Sequence, residues 1–294
     1  MADTPGPLPF LAEAGMPPLA APVAVGGGWD NHIWRFETER GRHALRVFRT
    51  RPDMDRVRAS AIREAICTRA AHAGGIPAPA IEHEGTLDGV PFHILSWMPG
   101  ATLVDALAAA PWRVWPLGRA FGAMHARLHA VPVDGLPPLP ASRWDALRPR
   151  DLAPALEAAF RADTFCHFDF HPMNVLTDGH RITAVLDFTN SGAGDARGDR
   201  AMTRALLRLA PVDAGWRAPL IAAVRGVFAR AYESGYRAVA RGFDAPALFR
   251  AAAAARVLAD MRAASAEARA PVPEGAMRAA RRELLRELRE AGLR

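Results

Sequence analysis

Residues 167–174 read His167-Phe168-Asp169-Phe170-His171-Pro172-Met173-Asn174, and they run on into Val175-Leu176, the turn pair Asp178-Gly179, the apolar run Ile182 to Leu186, and Asp187-Phe188-Thr189. The pattern is a polar loop opening a tight β-hairpin, because two short apolar runs flank an Asp-Gly turn. The far end of such a hairpin returns Asp187 toward Asn174. Asp169 lies on the same loop, so three oxygen-bearing side chains can converge on one face. Hard oxygen donors, few in number, suit Mg²⁺, which keeps water and phosphate oxygens for the rest of its shell. Asp187 offers charge and Asn174 a neutral carbonyl, which leaves Asp169 to accept a proton from an attacking hydroxyl.

Working outward, the chain changes character on either side of Pro99-Gly100. Residues 1–22 read as a Pro/Ala/Gly-rich arm with room for one short helix. Ile33 to Glu37 and His43 to Phe48 flank a turn containing Gly41 and predict a hairpin. Pro52-Asp53 opens a helix that ends near His72, before Gly74-Gly75. Ala80 to Glu84 and Pro91 to Trp97 supply two more strands. After the linker, helical periodicity runs over Thr102 to Ala110, Val114 to Ala130 and about 151–160. From Asp195 onward the chain is nearly all helical, broken at Pro211, Gly242 and Pro271-Val272-Pro273. The expectation is an α+β fold of two lobes: a first, residues 1–97, with an antiparallel sheet and one helix, and a larger, mainly helical second, residues 98–294.

The 294 residues contain 37 Arg, no Lys, and 31 Asp plus Glu, for a formal charge of +6. Residues 1–100 are net −1, whereas residues 201–294 are net +8. Guanidinium cannot lose its proton in a protein, so the high pI reflects the choice of base and is weak support for nucleic-acid binding. Around residues 278–290 Arg alternates with Glu at helical spacing, the signature of a salt-bridged, solvated face and not of a nucleic-acid stripe. Two distant cysteines, Cys67 and Cys166, make neither a disulfide framework nor a CxxC motif and point to a reduced, cytoplasmic setting. No apolar run is long enough to span a bilayer, and the first ten residues lack the basic region and apolar core of a signal peptide.

With these segments in view, the chain resembles the aminoglycoside phosphotransferase / choline kinase family, small-molecule kinases with a protein-kinase-like fold. HFDFHPMNVL followed by AVLDF resembles the family's catalytic loop and metal-binding aspartate, and the H-x-D-x-x-x-x-N … D-F order matches kinase phosphoryl transfer. GDARGDRA, from Gly194, resembles its downstream segment. GGGWDNHIWRF resembles its nucleotide loop, HALRVF its phosphate-contacting strand, and PFHILSWMPG its interlobe linker. The resemblance implies Asp169 as catalytic base, Asn174 and Asp187 as Mg²⁺ ligands, and Arg46 against the nucleotide phosphates with Glu64 as its ion-pair partner. It further implies that Gly26, Gly27 and Gly28 close over the phosphates, and that the backbone of Ser96, Trp97 and Met98 meets the base of ATP or GTP. Phosphate would pass to a hydroxyl of a small molecule, neutral or anionic given the net +8 of the helical end.

Several residues depart from the family pattern. Arg46 stands where protein kinases place Lys, Phe168 and Met173 where many relatives have Gly, and Thr189 replaces the last Gly of D-F-G. Other readings remain. His167, Asp169 and His171 with Asp187 suit a metallohydrolase, although this leaves the glycine cluster and Arg46/Glu64 without a purpose. A non-catalytic nucleotide-binding protein would not need all of Asp169, Asn174 and Asp187. His125 and His129, at i and i+4, lack the Glu of H-E-x-x-H and read as a packed helix face. Asp195 and Asp199 read as braces or helix caps, and Trp216, Tyr232, Tyr236 and Phe243 as core residues that could alternatively wall an acceptor pocket.

Overall fold

The computed structural model describes residues 6–26, 31–139, 152–211, 218–240, 245–266 and 272–293. The first lobe is built on a five-stranded antiparallel sheet, β1 (Val23–Ala24), β2 (Asn31–Thr38), β3 (Gly41–Phe48), β4 (Ile81–Leu87) and β5 (Val90–Ser96), in the order β1-β2-β3-β5-β4. Alternation along β3 assigns its faces. Leu45 and Val47 join Phe36, Phe92 and Ile94 in a core capped by Phe10 and Leu11 of helix α1 (Pro7–Glu13). Phe48, on the opposite face with Arg46, packs against Val57 and Ala61 of α2 (Met54–Ala73). Helix α2 starts where the sequence predicts, with the Asp53 carboxylate accepting the N–H of Arg56 as an N-cap. The short α1 fills the allowance made for the N-terminal arm.

The second lobe begins with β6 (Ala101–Thr102), α3 (Leu103–Ala109) and α4 (Val114–Leu128), followed by α5 (Leu152–Ala159). Strands β7 (Thr164–Cys166), β8 (Val175–Thr177), β9 (Ile182–Val185) and β10 (Gly192–Gly194) form two small sheets, β6-β8-β9 and β7-β10. Helices α6 (Ala196–Leu209), α7 (Ala218–Val239), α8 (Ala247–Ala266) and α9 (Glu274–Glu290) complete the chain.

Close packing sets the α4–α7 pair. A Cβ on Gly122 would fall 2.0 Å from the Tyr232 carbonyl oxygen, and one on Gly235 2.0 Å from that of Arg119, so both positions need glycine for the helices to approach. The five consecutive alanines 251–255 are all buried in a core between α6, α8 and α9, as a packed helix would have them. No helix of the described residues is long and apolar enough to cross a membrane. Both cysteines are free and buried.

Candidate active site

The interlobe linker, the loop after β7 and the β8–β9 hairpin define the site. At the linker, Ser96 donates its N–H to the Ala80 carbonyl and Trp97 its N–H to Arg42, while the N–H of Met98 is taken up by no described residue. The Asp178-Gly179 turn forms as the sequence predicts: Asp178 Oδ1 accepts the N–H groups of His180 and Arg181, and Gly179 takes φ +89°. Leu186 N–H then donates to the Asn174 carbonyl at 2.8 Å, so the hairpin brings the backbone of Asp187 alongside that of Asn174.

Around Asp169 the polar contacts are local. Asn174 Nδ2 donates to the Asp169 carbonyl at 3.0 Å and reaches Asp169 Oδ2 at 3.5 Å. With its amide nitrogen thus engaged, Asn174 keeps its Oδ1 for another partner. His171 Nε2 lies 3.4 Å from Asp169 Oδ1. Burial raises the Asp169 carboxyl above its ordinary range, against the pull of His171 and together with the repulsion of Asp187. A carboxylate of raised basicity is suited to accept a proton from a hydroxyl.

Asp187 is held from one side. Its Oδ1 accepts Arg46 Nη2 at 3.0 Å and the Thr189 hydroxyl at 2.7 Å, and the Thr189 hydroxyl in turn accepts Arg46 Nη2 at 3.0 Å. Burial opposes ionisation here, but Arg46 and the Thr189 hydroxyl outweigh it and bring the carboxyl down to about 2. The second oxygen, Oδ2, has no partner among the described residues. Asp187 is therefore an anion with one oxygen to spare, and Asn174 a neutral amide with one oxygen to spare. That donor set fits Mg²⁺.

Arg46 is buried and spans the lobes. Its Nη1 lies 2.8 Å from Glu64 Oε1 on α2, and its Nη2 reaches Asp187 in the second lobe. The pair expected from the strand–helix order is thus an interior one, not a surface pair. Burial raises the Glu64 carboxyl to about 7 despite Arg46, and Glu64 Oε2 is buried without a partner. Of the two carboxylates flanking Arg46, Asp187 is the one that carries charge throughout the neutral range.

The loop itself is braced from beneath. Asp199, fully buried on α6, accepts the backbone N–H of His167 at 2.5 Å and of Phe168 at 2.9 Å. His129 Nε2 donates to the same carboxylate at 3.1 Å, and His125 Nε2 lies 3.2 Å from it without a hydrogen bond. The Tyr232 and Tyr236 hydroxyls bond His125 Nδ1 and His129 Nδ1. Burial would raise the Asp199 carboxyl, but His125 and His129 hold it well below the usual range. His125, His129 and Asp199 are close enough to ligate a metal; the carboxylate already accepts two backbone N–H groups and the N–H of His129, and both histidines lie on a packed helix face. Tyr232 and Tyr236 are core residues, while Trp216 and Phe243 lie outside the described residues. Asp195 caps α6 through the N–H of Arg197, and His167 braces the loop through the Leu186 carbonyl at 3.0 Å.

Gly26 lies in a turn with open space around it, and Gly27 and Gly28 fall outside the described residues. Phe168 explains its own oddity. Its φ is +58°, a left-handed conformation that glycine adopts freely and that costs another residue ~1–2 kcal/mol. Its ring packs against the α6–α8 core. Thr189 gains a purpose from its place: a hydroxyl two residues after a carboxylate can bond back to it, and here that bond orients Asp187.

An antiparallel sheet set over a helical lobe, with Arg46 crossing the boundary between them, defines the kinase-like class of phosphotransferases. The chain belongs to the phosphotransferase enzyme family, whose family model matches residues 22–163 and 152–243. It is an enzyme, a small-molecule kinase that moves a phosphoryl group to a hydroxyl. Among solved structures, a thermostable mutant of aminoglycoside phosphotransferase APH(4)-Ia in ternary complex with AMP-PNP and hygromycin B is similar over 96% of this chain and 98% of that one, with 16% identity and a TM-score of 0.63. Aminoglycoside-3'-phosphotransferase of type VIII is similar over 85% and 96%, with 22% identity and a TM-score of 0.57. APH(3'')-Id from Streptomyces rimosus is similar over 86% and 96%, with 17% identity and a TM-score of 0.52. At these identities the likeness is one of fold. No curated protein matches the chain.

Proposed function

We propose that the protein transfers the terminal phosphate of ATP or GTP to the hydroxyl of a neutral or anionic small molecule, with Asp169 as base and Asn174 and Asp187 as ligands of Mg²⁺. The observation that carries this reading is the bridge of Arg46 between Glu64 and Asp187, which leaves one carboxylate oxygen of Asp187 unengaged beside the Asn174 loop. When bound there, Mg²⁺ would neutralise charge on the terminal phosphates. Arg46 sets its fixed positive charge beside the phosphate chain, while its two terminal nitrogens hold Glu64 and Asp187. Asp169 orients the acceptor hydroxyl and takes its proton as the oxygen attacks. Asn174 holds Asp169 in place while presenting its own amide oxygen. Positioning and charge stabilisation supply most of the rate.

In this reading residues 1–97 form the nucleotide lobe, with Gly26, Gly27 and Gly28 over the phosphates and the Ser96–Trp97–Met98 backbone along the base edge. The unengaged N–H of Met98 supports that edge contact. Residues 98–294 hold the catalytic loop and the acceptor. The acceptor's charge follows from this chain's own residues. Among the described residues, Asp195, Glu233 and Asp260, acids that could attract a polycation, are paired with Arg197, Arg200 and Arg256. The net +8 of residues 201–294 is then left to favour a neutral or anionic partner. The enzyme works in the cytoplasm without nucleic acid or membrane. Arg278–Glu274 and Arg286–Glu283 pairs along α9 fit a solvated helix face.

The test is a nucleotide-consumption screen over sugars, amino alcohols, aminoglycosides and macrolides, with Asp169→Ala protein as control. Acceptor-dependent consumption by the wild type alone is expected. Consumption that survives in the control, or tightly retained zinc in place of nucleotide-dependent Mg²⁺, favours the metallohydrolase reading instead.

A further inference from the structure

Arg63 precedes Glu64 on α2 and has no part in the chemistry set out above. Its Nη1 donates to two carbonyl oxygens of the second lobe, Pro138 at 3.2 Å and Ser191 at 3.2 Å. The two carbonyls belong to different segments. Pro138 lies on the stretch returning from α4, and Ser191 closes the turn behind Asp187. Those segments are themselves paired, Leu139 N–H to the Ala193 carbonyl at 2.9 Å and Ala193 N–H to the Pro137 carbonyl at 3.0 Å. The junction is tight. A Cβ on Gly192 would lie 2.5 Å from the Pro137 oxygen and 3.0 Å from Arg63 Nη1, so the guanidinium keeps its seat because residue 192 has no side chain.

Adjacent residues of one helix thus grip both ends of the stretch 187–191. Glu64 reaches Asp187 through Arg46. Arg63 holds Ser191, which is fully buried and donates its hydroxyl to the His167 carbonyl at 3.4 Å. Both ends must be fixed to aim a carboxylate at the middle of a cleft, because a turn held at one end can pivot about it.

We infer that Arg63 is a positioning residue: by tying the Ser191 end of the turn to α2, it sets where the unengaged oxygen of Asp187 points and makes Mg²⁺-dependent nucleotide binding depend on the docking of α2. This rests on the role proposed for Asp187.

The experiment uses the full chain as wild type, Arg63→Met and Arg63→Lys. AMP-PNP and GMP-PNP are titrated with and without Mg²⁺, and amide hydrogen exchange is followed over residues 187–194. Arg63→Met is expected to lose about tenfold of the Mg²⁺-dependent affinity, the scale of a lost charged hydrogen bond. Its Mg²⁺-free affinity should stay within about twofold of wild type, and exchange over 187–194 should rise. Arg63→Lys, which keeps a cationic N–H donor, should restore most of both. Unchanged affinity and exchange in Arg63→Met overturn the inference, as does an equal loss of affinity with and without Mg²⁺, the mark of a general structural role. Should the wild type bind neither nucleotide, the proposed function falls, and the exchange comparison alone decides whether Arg63 holds the turn.

Discussion

Arg46 Nη2 lies 3.0 Å from Asp187 Oδ1, a contact between residues 141 apart that joins the sheet of the first lobe to the hairpin of the second. Through it the two lobes share one guanidinium, because the other nitrogen is already committed to Glu64. A cation shared in this way fixes Asp187 as an anion before any nucleotide arrives.

Asp187→Ala should remove the Mg²⁺-dependent part of nucleotide affinity, by more than about tenfold. It should also strand a buried guanidinium that has lost one of its two carboxylates. Calorimetric titration of AMP-PNP with and without Mg²⁺ measures the first effect, and thermal unfolding the second. Equal affinity in both proteins would take Asp187 out of the metal site.

Asp199→Asn changes one oxygen into an NH₂ group facing the N–H groups of His167 and Phe168. Whichever way the amide turns, only one oxygen remains for two backbone donors and His129. The loss should be ~1–3 kcal/mol of stability, accompanied by a fall in kcat at nearly unchanged nucleotide affinity. Denaturant unfolding and steady-state kinetics read the two. A variant with wild-type turnover would mean that the brace does not set the loop.

His93 is buried opposite Arg46 on β5, with its Nδ1 unpartnered and its ring against Phe48. Burial, aided by Arg46 and Arg69, lowers its pKa from 6.5 to about 3. The unfolded chain therefore binds a proton that the native protein refuses. Stability tied to His93 is complete above pH 6.5 and is lost as pH falls toward about 3. His93→Leu keeps the ring's apolar contact and should flatten the pH dependence of unfolding in that window. An unaltered slope would show that other groups govern acid sensitivity.

Much of this was legible in the residues. The hairpin at Asp178-Gly179, the cap at Asp53 and the strand–helix order that buries Arg46 against Glu64 are local signals, and each has a side chain whose chemistry allows few alternatives. What could not be read depends on residues brought together by packing. The bond of Thr189 to Asp187 has a local signal, but its extension to Arg46 has none. Arg63 looks like any surface arginine until Pro138 and Ser191 are placed beside it. Phe168 reads only as a bulky residue where many relatives have Gly, until its positive φ and the packing of its ring against the helical core are seen. Tyr232 and Tyr236 are apolar in pattern, and only the arrival of His125 and His129 beside them gives their hydroxyls a use.

The central claim is that Asp169 takes the proton while the rest of the site binds nucleotide without it. Single-turnover phosphoryl transfer to an acceptor found in the screen, run beside Mg²⁺–nucleotide titration, measures both halves in wild type and Asp169→Asn. The account predicts a transfer rate lower by ~10²–10⁴-fold with nucleotide affinity preserved. Transfer at the wild-type rate in Asp169→Asn would contradict it.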